Sequence, residues 1–388
     1  MARAVAVVGF GQTKHGRRDE VSYPELVYEA VKAALDDAGI TPDDIDAVVS
    51  GSMPPAMEGI GAPHLYLSDA LSAFGKPSIR VATCGSTGIS IAQMAYYHVA
   101  SGLFDVVLAV GHEKMNENDP QGTMTTVGEP YFQRPFSGGA PGIFSMQAHQ
   151  YMYRYNLPEE RVREAAAIIS VNHHENALDN PYAHIRMKIT VEDVLNSKII
   201  AYPVRLLDVC PSSDGAAAVI FAAEEKAKRF PRKPAWVKGL YYAGEEAFFG
   251  DSDKVVWQSA IIAAREAYRM AGIQNPRKEI DVAEVYNPFT FQELIFYECF
   301  GFCEPGEACR LVEEGVVLRG GELPCAPSGG VLCTNPIGAT GLIRVGEAAL
   351  QVTGRAGQRQ VPGAKTALAH AMGGVDQLNG VMILSSEL

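Results

Sequence analysis

Hydrophobic residues fall into two periods along this chain. Residues 4–8, 45–49, 106–110, 215–220, 280–285 and 366–369 are short apolar runs, the pattern of strands buried on both faces. Residues 23–38, 87–101, 159–174, 256–271 and 340–353 are longer and read as amphipathic or buried helices. Strands alternating with helices predict an α/β chain built on a mostly parallel sheet covered on both faces.

The pattern repeats. Ala33-Ala34-Leu35-Asp36-Asp37-Ala38-Gly39-Ile40 closes one helix and Ile45-Asp46-Ala47-Val48-Val49 opens a strand, while Ala267-Tyr268-Arg269-Met270-Ala271-Gly272-Ile273 and Ile280-Asp281-Val282-Ala283-Glu284-Val285 do the same later. Glycine follows each helix, where positive φ is needed. Thr87-Gly88-Ile89 and Thr340-Gly341-Leu342 then start two apolar helices that close at Ser101-Gly102 and Thr353-Gly354, each followed by a strand. Two matches in the same order imply a duplicated α/β domain. The first half is assigned to residues 1–115 and 197–228, and the second to residues 229–388. The inserted segment 116–196, rich in His, Tyr, Asn and Met, is expected to be a lid, a binding loop or an interface.

A length of 388 residues with 47% hydrophobic content supports two cores. The formal charge of −12, with no Lys/Arg-rich run, argues against nucleic acid or an anionic membrane as partner. No apolar stretch approaches the roughly 20 residues of a membrane span. Ala4-Val5-Ala6-Val7-Val8, close behind Met1, is too short for a signal peptide, so a cytoplasmic protein is expected. The cysteines at 84, 210, 299, 303, 309, 325 and 333 include no CxxC pair and predict no disulfide framework. Cys299, Cys303 and Cys309 cluster without zinc-site spacing, so small buried side chains are expected there and no metal. Gly9-Phe10-Gly11 lacks the third glycine and the helix of a dinucleotide fingerprint, which excludes an NAD or FAD site.

Cys84 stands out in Val81-Ala82-Thr83-Cys84-Gly85-Ser86-Thr87-Gly88, between a short strand and an apolar helix. Backbone N–H groups at a helix start favour a thiolate and lower a cysteine pKa, and the adjacent glycine leaves room for a carbonyl to approach. A packed core cysteine is the competing reading. The second half adds Ser328-Gly329-Gly330, Asn335-Pro336-Ile337-Gly338-Ala339-Thr340-Gly341 and Ala369-His370-Ala371-Met372-Gly373-Gly374. These segments resemble the active-site loops of the thiolase superfamily, in its archaeal and sterol-carrier-protein-like branch. Asn180-Pro181-Tyr182-Ala183, Asp214-Gly215-Ala216-Ala217-Ala218 and Gly320-Gly321-Glu322-Leu323-Pro324 resemble the same branch, and the likeness runs from Val5 to the C-terminus.

The resemblance implies a duplicated thiolase fold, five-layered αβαβα with two mixed, mostly parallel sheets. It implies an acyl-CoA thioester as substrate, coenzyme A as co-substrate, and a homodimer or hetero-oligomer. Relatives in this branch pair with a small zinc-ribbon/OB-fold protein, the candidate partner here. By position Cys84 matches the acylated nucleophile and His370 the second acid/base, with the backbone N–H groups of Cys84 and Met372 as oxyanion hole. Gly373, Asn287, Phe289 and Ser328 fall in the substrate-binding loops. Arg186 and Lys188 are candidate contacts for the coenzyme A phosphates, although an exposed charged face explains them equally well.

Two departures bear on the chemistry. Thr334-Asn335-Pro336 stands where thiolases carry Gly-His-Pro, so the residue there can donate a hydrogen bond but cannot take a proton. Tyr286-Asn287-Pro288-Phe289 replaces the family's Asn-Glu-Ala-Phe or His-Asp-x-Phe box and is similar to the tyrosine of thiolase-fold retro-aldolases. The expected reaction is thiolysis of a bulky, branched or aromatic 3-oxoacyl-CoA, as in the benzoylsuccinyl-CoA type of thiolase. The alternatives are a retro-aldolase using Tyr286 and a noncatalytic acyl-CoA-binding subunit. His112, His173, His174 and His184 read as structural.

Overall fold

Val5–Gln12, strand β1, is buried at every position, and its side chains alternate between two cores: Val5 and Val7 enter the larger, Ala6 and Val8 the smaller. Period-two alternation with both faces covered explains why the strands read as unbroken apolar runs. The computed structural model describes residues 3–53, 57–136, 139–248 and 250–388, so Met1 lies outside the described residues. The other strands of the main sheet are β2 (Ala47–Gly51), β3 (Ser78–Arg80), β4 (Val106–Lys114), β5 (Asp214–Ala223), β6 (Ala235–Gly244), β7 (Val282–Glu284), β8 (Thr366–Gly373) and β9 (Leu378–Ser385). Their order is β3-β2-β4-β5-β1-β6-β9-β8-β7.

The sheet carries the duplication. β2 pairs parallel with β4, β4 antiparallel with β5, and β5 antiparallel with β1; β7, β8, β9 and β6 repeat that scheme. The two expected sheets meet where Ala6 pairs with Trp236 and Val7 with Ala235, so hydrogen bonding runs through all the strands. Parallel pairing is confined to β3-β2-β4 and β7-β8, less than the alternation implies. A short turn at residues 374–377 joins β8 to β9, which only antiparallel neighbours permit.

The principal helices are α1 (Tyr23–Ala38), α2 (Thr87–Ala100), α3 (Gly139–Arg154), α4 (Glu159–Leu178), α5 (Gln258–Ala271), α6 (Thr290–Cys299) and α7 (Ile337–Val352). α1 covers β1 and β5 on one outer face, α5 covers β6 and β9 on the other, and α2 and α7 form the central layer. The central pair crosses closely: a Cβ on Gly88 would lie 2.2 Å from the Leu342 amide nitrogen. Gly11 lets β1 and α1 approach closely, since a Cβ there would lie 2.5 Å from the Ala30 carbonyl oxygen of α1. Ser22 and Glu25 form a capping box on α1, and Gly39 ends it at φ 70°.

α4 continues past residue 174 to Leu178. In its last turn Glu175 is exposed, whereas Asn176 is buried and donates to the Ala326 carbonyl at 3.2 Å. No helix among the described residues is long and apolar enough to cross a membrane.

Candidate active site

Cys84 occupies the turn between β3 and α2 with φ 55°, a left-handed conformation that costs a non-glycine residue about 1 kcal/mol. The turn is held from both sides. The Thr83 amide donates to Thr87 Oγ1 at 2.9 Å, Ser86 Oγ donates to the Thr83 carbonyl at 2.6 Å, and the Thr87 amide donates to the Cys84 carbonyl at 3.0 Å. Neighbouring glycines admit the end of β8: a Cβ on Gly85 would lie 2.6 Å from the Met372 carbonyl oxygen, and one on Gly373 would lie 2.4 Å from that of Thr83. The strained turn thereby presents a half-buried thiol.

The thiol opens into a cavity of about 240 Å³. Met53, Met115, Met124, Met146, Phe132, Ile143, Phe144, Phe289 and Met372 supply much of its apolar wall. Several come from the inserted segment, and Phe144 of α3 packs on Phe289 with ring centroids 4.5 Å apart. Tyr286, Asn335 and Cys210 line the cavity beside Cys84. The Tyr286 hydroxyl donates to Asn335 Oδ1 at 3.3 Å, Thr340 Oγ1 donates to the same oxygen at 2.9 Å, and Asn335 Nδ2 donates to Cys210 Sγ at 3.2 Å. Among the described lining residues there is no histidine, carboxylate, lysine or arginine.

His370 is therefore not brought to the cavity. It lies in β8, fully buried beneath Phe296 and Phe300, whose ring centroids are 4.4 and 4.8 Å away. Nδ1 accepts from the Tyr286 amide at 3.3 Å, and Nε2 sits 2.9 Å from Asn379 Oδ1. Burial lowers its pKa to about 3. A neutral imidazole with both nitrogens engaged supports the Tyr286 backbone and is not placed to exchange protons with a substrate.

Other sequence candidates also turn away. Asn287 is buried and donates to Glu293, which His173 also meets at 3.0 Å. Ser328 Oγ donates to Glu284 at 2.9 Å and accepts from Arg344 at 2.7 Å. Arg186 and Lys188 are exposed and do not line the cavity. Cys210, undistinguished among the cysteines of the sequence, does.

Burial raises the Cys84 pKa, opposed by an N–H from Gly374. α2 begins further on, at Thr87. The backbone donor at the sulfur is Gly374. Burial holds the Tyr286 phenol well above its ordinary value, reinforced by the Cys210 sulfur.

Gly374 belongs to the turn anchored by Asp376, which is buried, has φ 64°, and accepts from Gln147 of α3 and from Gln292 of α6 at 3.0 Å. Burial raises the Asp376 pKa to about 7, with Glu245 pushing the same way and Lys254 opposing. Its unfolded value is about 3.9, so the folded protein holds an extra proton between these pH values. That contribution to stability is full below pH ~4 and is lost as pH rises through about 7. Asp376→Asn is expected to flatten the dependence of Tm on pH between 5 and 8. Parallel wild-type and variant melting profiles would contradict this.

A two-half α/β fold with a strained cysteine over an apolar cavity defines the class, and comparison with known proteins names it. "Thiolase, N-terminal domain" matches residues 5–225 and "Thiolase C-terminal domain-like" matches residues 244–386. The chain belongs to the thiolase family and is an enzyme of the acyltransferase class. It is 37% identical to an acetyl-CoA acetyltransferase of Methanothermobacter thermautotrophicus, over 99% of this chain and 100% of that protein. It is 30% identical to the benzoylsuccinyl-CoA thiolase subunit BbsB of Thauera aromatica, over 96% of each. A solved Ltp2-ChsH2(DUF35) aldolase superposes with TM-score 0.86 at 26% identity, covering 100% of this chain and 99% of that one.

Proposed function

We propose that the protein cleaves a bulky 3-oxoacyl-CoA with coenzyme A, forming an acyl-Cys84 intermediate. The observation that carries this reading is the Cys84 thiol, held in a left-handed turn at an apolar cavity and met by the Gly374 N–H. Cys84 attacks the keto carbon, and Asn335 and Tyr286 lie beside it to stabilise charge on the substrate oxygens. About 240 Å³ walled by methionine and aromatic side chains is far more than an acetyl group fills, and unbranched Met side chains adapt to irregular apolar shapes. Residues 116–196 would serve as the roof of the acyl site between the two halves, 1–115 with 197–228 and 229–388. Arg186 and Lys188 remain candidate contacts for the coenzyme A phosphates at the surface. A homodimer acting in the cytoplasm, with or without a small zinc-ribbon/OB-fold subunit, completes the reading; the aldolase neighbour is itself a complex with a DUF35 protein.

One observation favours a second reading, a retro-aldolase using Tyr286: the only titratable groups among the described lining residues are two thiols and this phenol. Intact-mass analysis during turnover separates the two. Thiolysis predicts an acyl adduct on Cys84, and in Tyr286→Phe a kcat lower by about a hundredfold with the adduct still formed. Cleavage without any adduct, abolished in Tyr286→Phe, would establish the aldolase instead.

A further inference from the structure

We infer that Cys210 is a second catalytic thiol, which protonates the departing carbanion and then takes the proton of the incoming coenzyme A. The inference rests on the thiolytic reading above and assigns to Cys210 the role that sequence position gives to His370. Thiolysis needs a proton donor at the α-carbon and a base for the coenzyme A thiol, and His370 is sealed behind Tyr286. Cys210 lines the same cavity as Cys84, whereas the remaining cysteines do not.

Its surroundings fix the sulfur and keep it protonated at rest. Tyr286 and Thr340 both donate to Asn335 Oδ1, which settles the orientation of the carboxamide and aims Nδ2 at Cys210 Sγ, 3.2 Å away. The loop bearing the thiol is tied down on both sides: the Cys210 amide donates to the Pro288 carbonyl at 2.9 Å, and the Asn335 amide donates to Ser213 Oγ at 3.1 Å. Burial raises the Cys210 pKa to about 12, opposed by the Asn335 hydrogen bond. A thiol of this kind keeps its proton until a stronger base, the carbanion, appears, and Asn335 then stabilises the resulting thiolate. The Asn that replaces the family's histidine thus acts on the second sulfur.

The cycle balances. Cys84 releases its thiol proton to water and, as thiolate, forms an S–C bond to the keto carbon. The bond between the keto carbon and the α-carbon breaks, and its electron pair passes to the enolate of the leaving thioester. Cys210 Sγ–H gives its proton to the α-carbon, leaving acyl-Cys84, a Cys210 thiolate and the first product. Coenzyme A enters, Cys210 takes its thiol proton, and the coenzyme A sulfur attacks the acyl carbon and expels Cys84 as thiolate, which regains its proton from water. Both cysteines return to their starting states with no other reagent consumed.

Two half-reactions test this in the intact 388-residue chain. Acylation of Cys84 by a simple acyl-CoA is transthioesterification, while exchange of the α-hydrogens of acetyl-CoA in D2O requires the acid/base at carbon. In Cys210→Ala we expect acylation of Cys84 to persist, as read by intact mass, and deuterium uptake to fall by at least about a hundredfold. Cys210→Ser, similar in size but a far weaker acid, should not restore exchange, whereas a packing role would be restored by it. Wild-type exchange in the alanine variant, or rescue by serine, would overturn the inference and leave acyl-Cys84 chemistry standing. Failure of wild-type protein to acylate Cys84 at all would overturn the thiolytic reading and this inference with it.

Discussion

Cys84→Ala is expected to lower thiolytic turnover by at least about a thousandfold while the protein stays folded. The variant has no atom that can carry the acyl group, and no second residue can inherit the position, because the turn presents one side chain to the cavity. Stability should change little. Alanine at φ 55° is strained to the same degree as cysteine, and the Thr83, Ser86 and Thr87 hydrogen bonds that hold the turn do not involve the sulfur. Losing one half-buried sulfur should shift Tm by no more than about 3 °C. Steady-state thiolysis, intact mass and a thermal melt on the same preparation check the three parts. A variant that still cleaves its substrate at the wild-type rate would remove Cys84 from the chemistry and leave Tyr286 as the reacting group.

The repeat was legible because it is written in local terms: apolar periodicity, a glycine in the left-handed region after α1 and after α5, and Thr-Gly at the first residue of α2 and within the first turns of α7. The same locality revealed Cys84 as a residue at a strand-to-helix junction. It did not reveal that Cys84 itself takes the positive φ, since Gly85 beside it is the residue that pattern reasoning would choose.

His370 shows where sequence position stops being informative. It and Met372 lie two residues apart in β8, yet Met372 lines the cavity and His370 lies about 7 Å deeper along the strand, under two phenylalanines from α6 and its C-terminus. Depth along a strand depends on what another segment lays over it. Ser328 and Asn287 were likewise diverted, Ser328 by Arg344 and Glu284, and Asn287 by Glu293, which His173 reaches from the inserted segment. Cys210 had no local signal at all. It becomes a site residue only because its loop pairs with Pro288 and Ser213 binds Asn335, contacts spanning most of the second half.

Arg344→Met should produce the largest loss of stability. Arg344 in α7 is 1% exposed and pairs with Glu284 of β7, with Ser328 Oγ bridging them. Removing the arginine leaves a carboxylate in the core without its counter-charge, which costs about 3–5 kcal/mol. The deficit should depend on pH in a defined sense. Burial already raises the Glu284 pKa, and Arg344 is the largest influence lowering it, ahead of Ser328, so the variant carboxyl rises further. A carboxyl with a raised folded pKa contributes stability that is full below its unfolded value of about 4.3 and is lost as pH climbs through the folded value. The variant should therefore be closer to wild type at pH 5 than at pH 8, since lower pH favours protonation of the unpaired Glu284. Arg344→Met combined with Glu284→Gln should recover much of the loss, since both charges are then gone. Because Glu284 lies just before Tyr286 and Ser328 just before the segment leading to Asn335, the single variant should also lower kcat per folded molecule. Urea unfolding of the three proteins at both pH values decides it: an equal deficit at pH 5 and pH 8, or no recovery in the double variant, would show that Glu284 is not the group left unpaired.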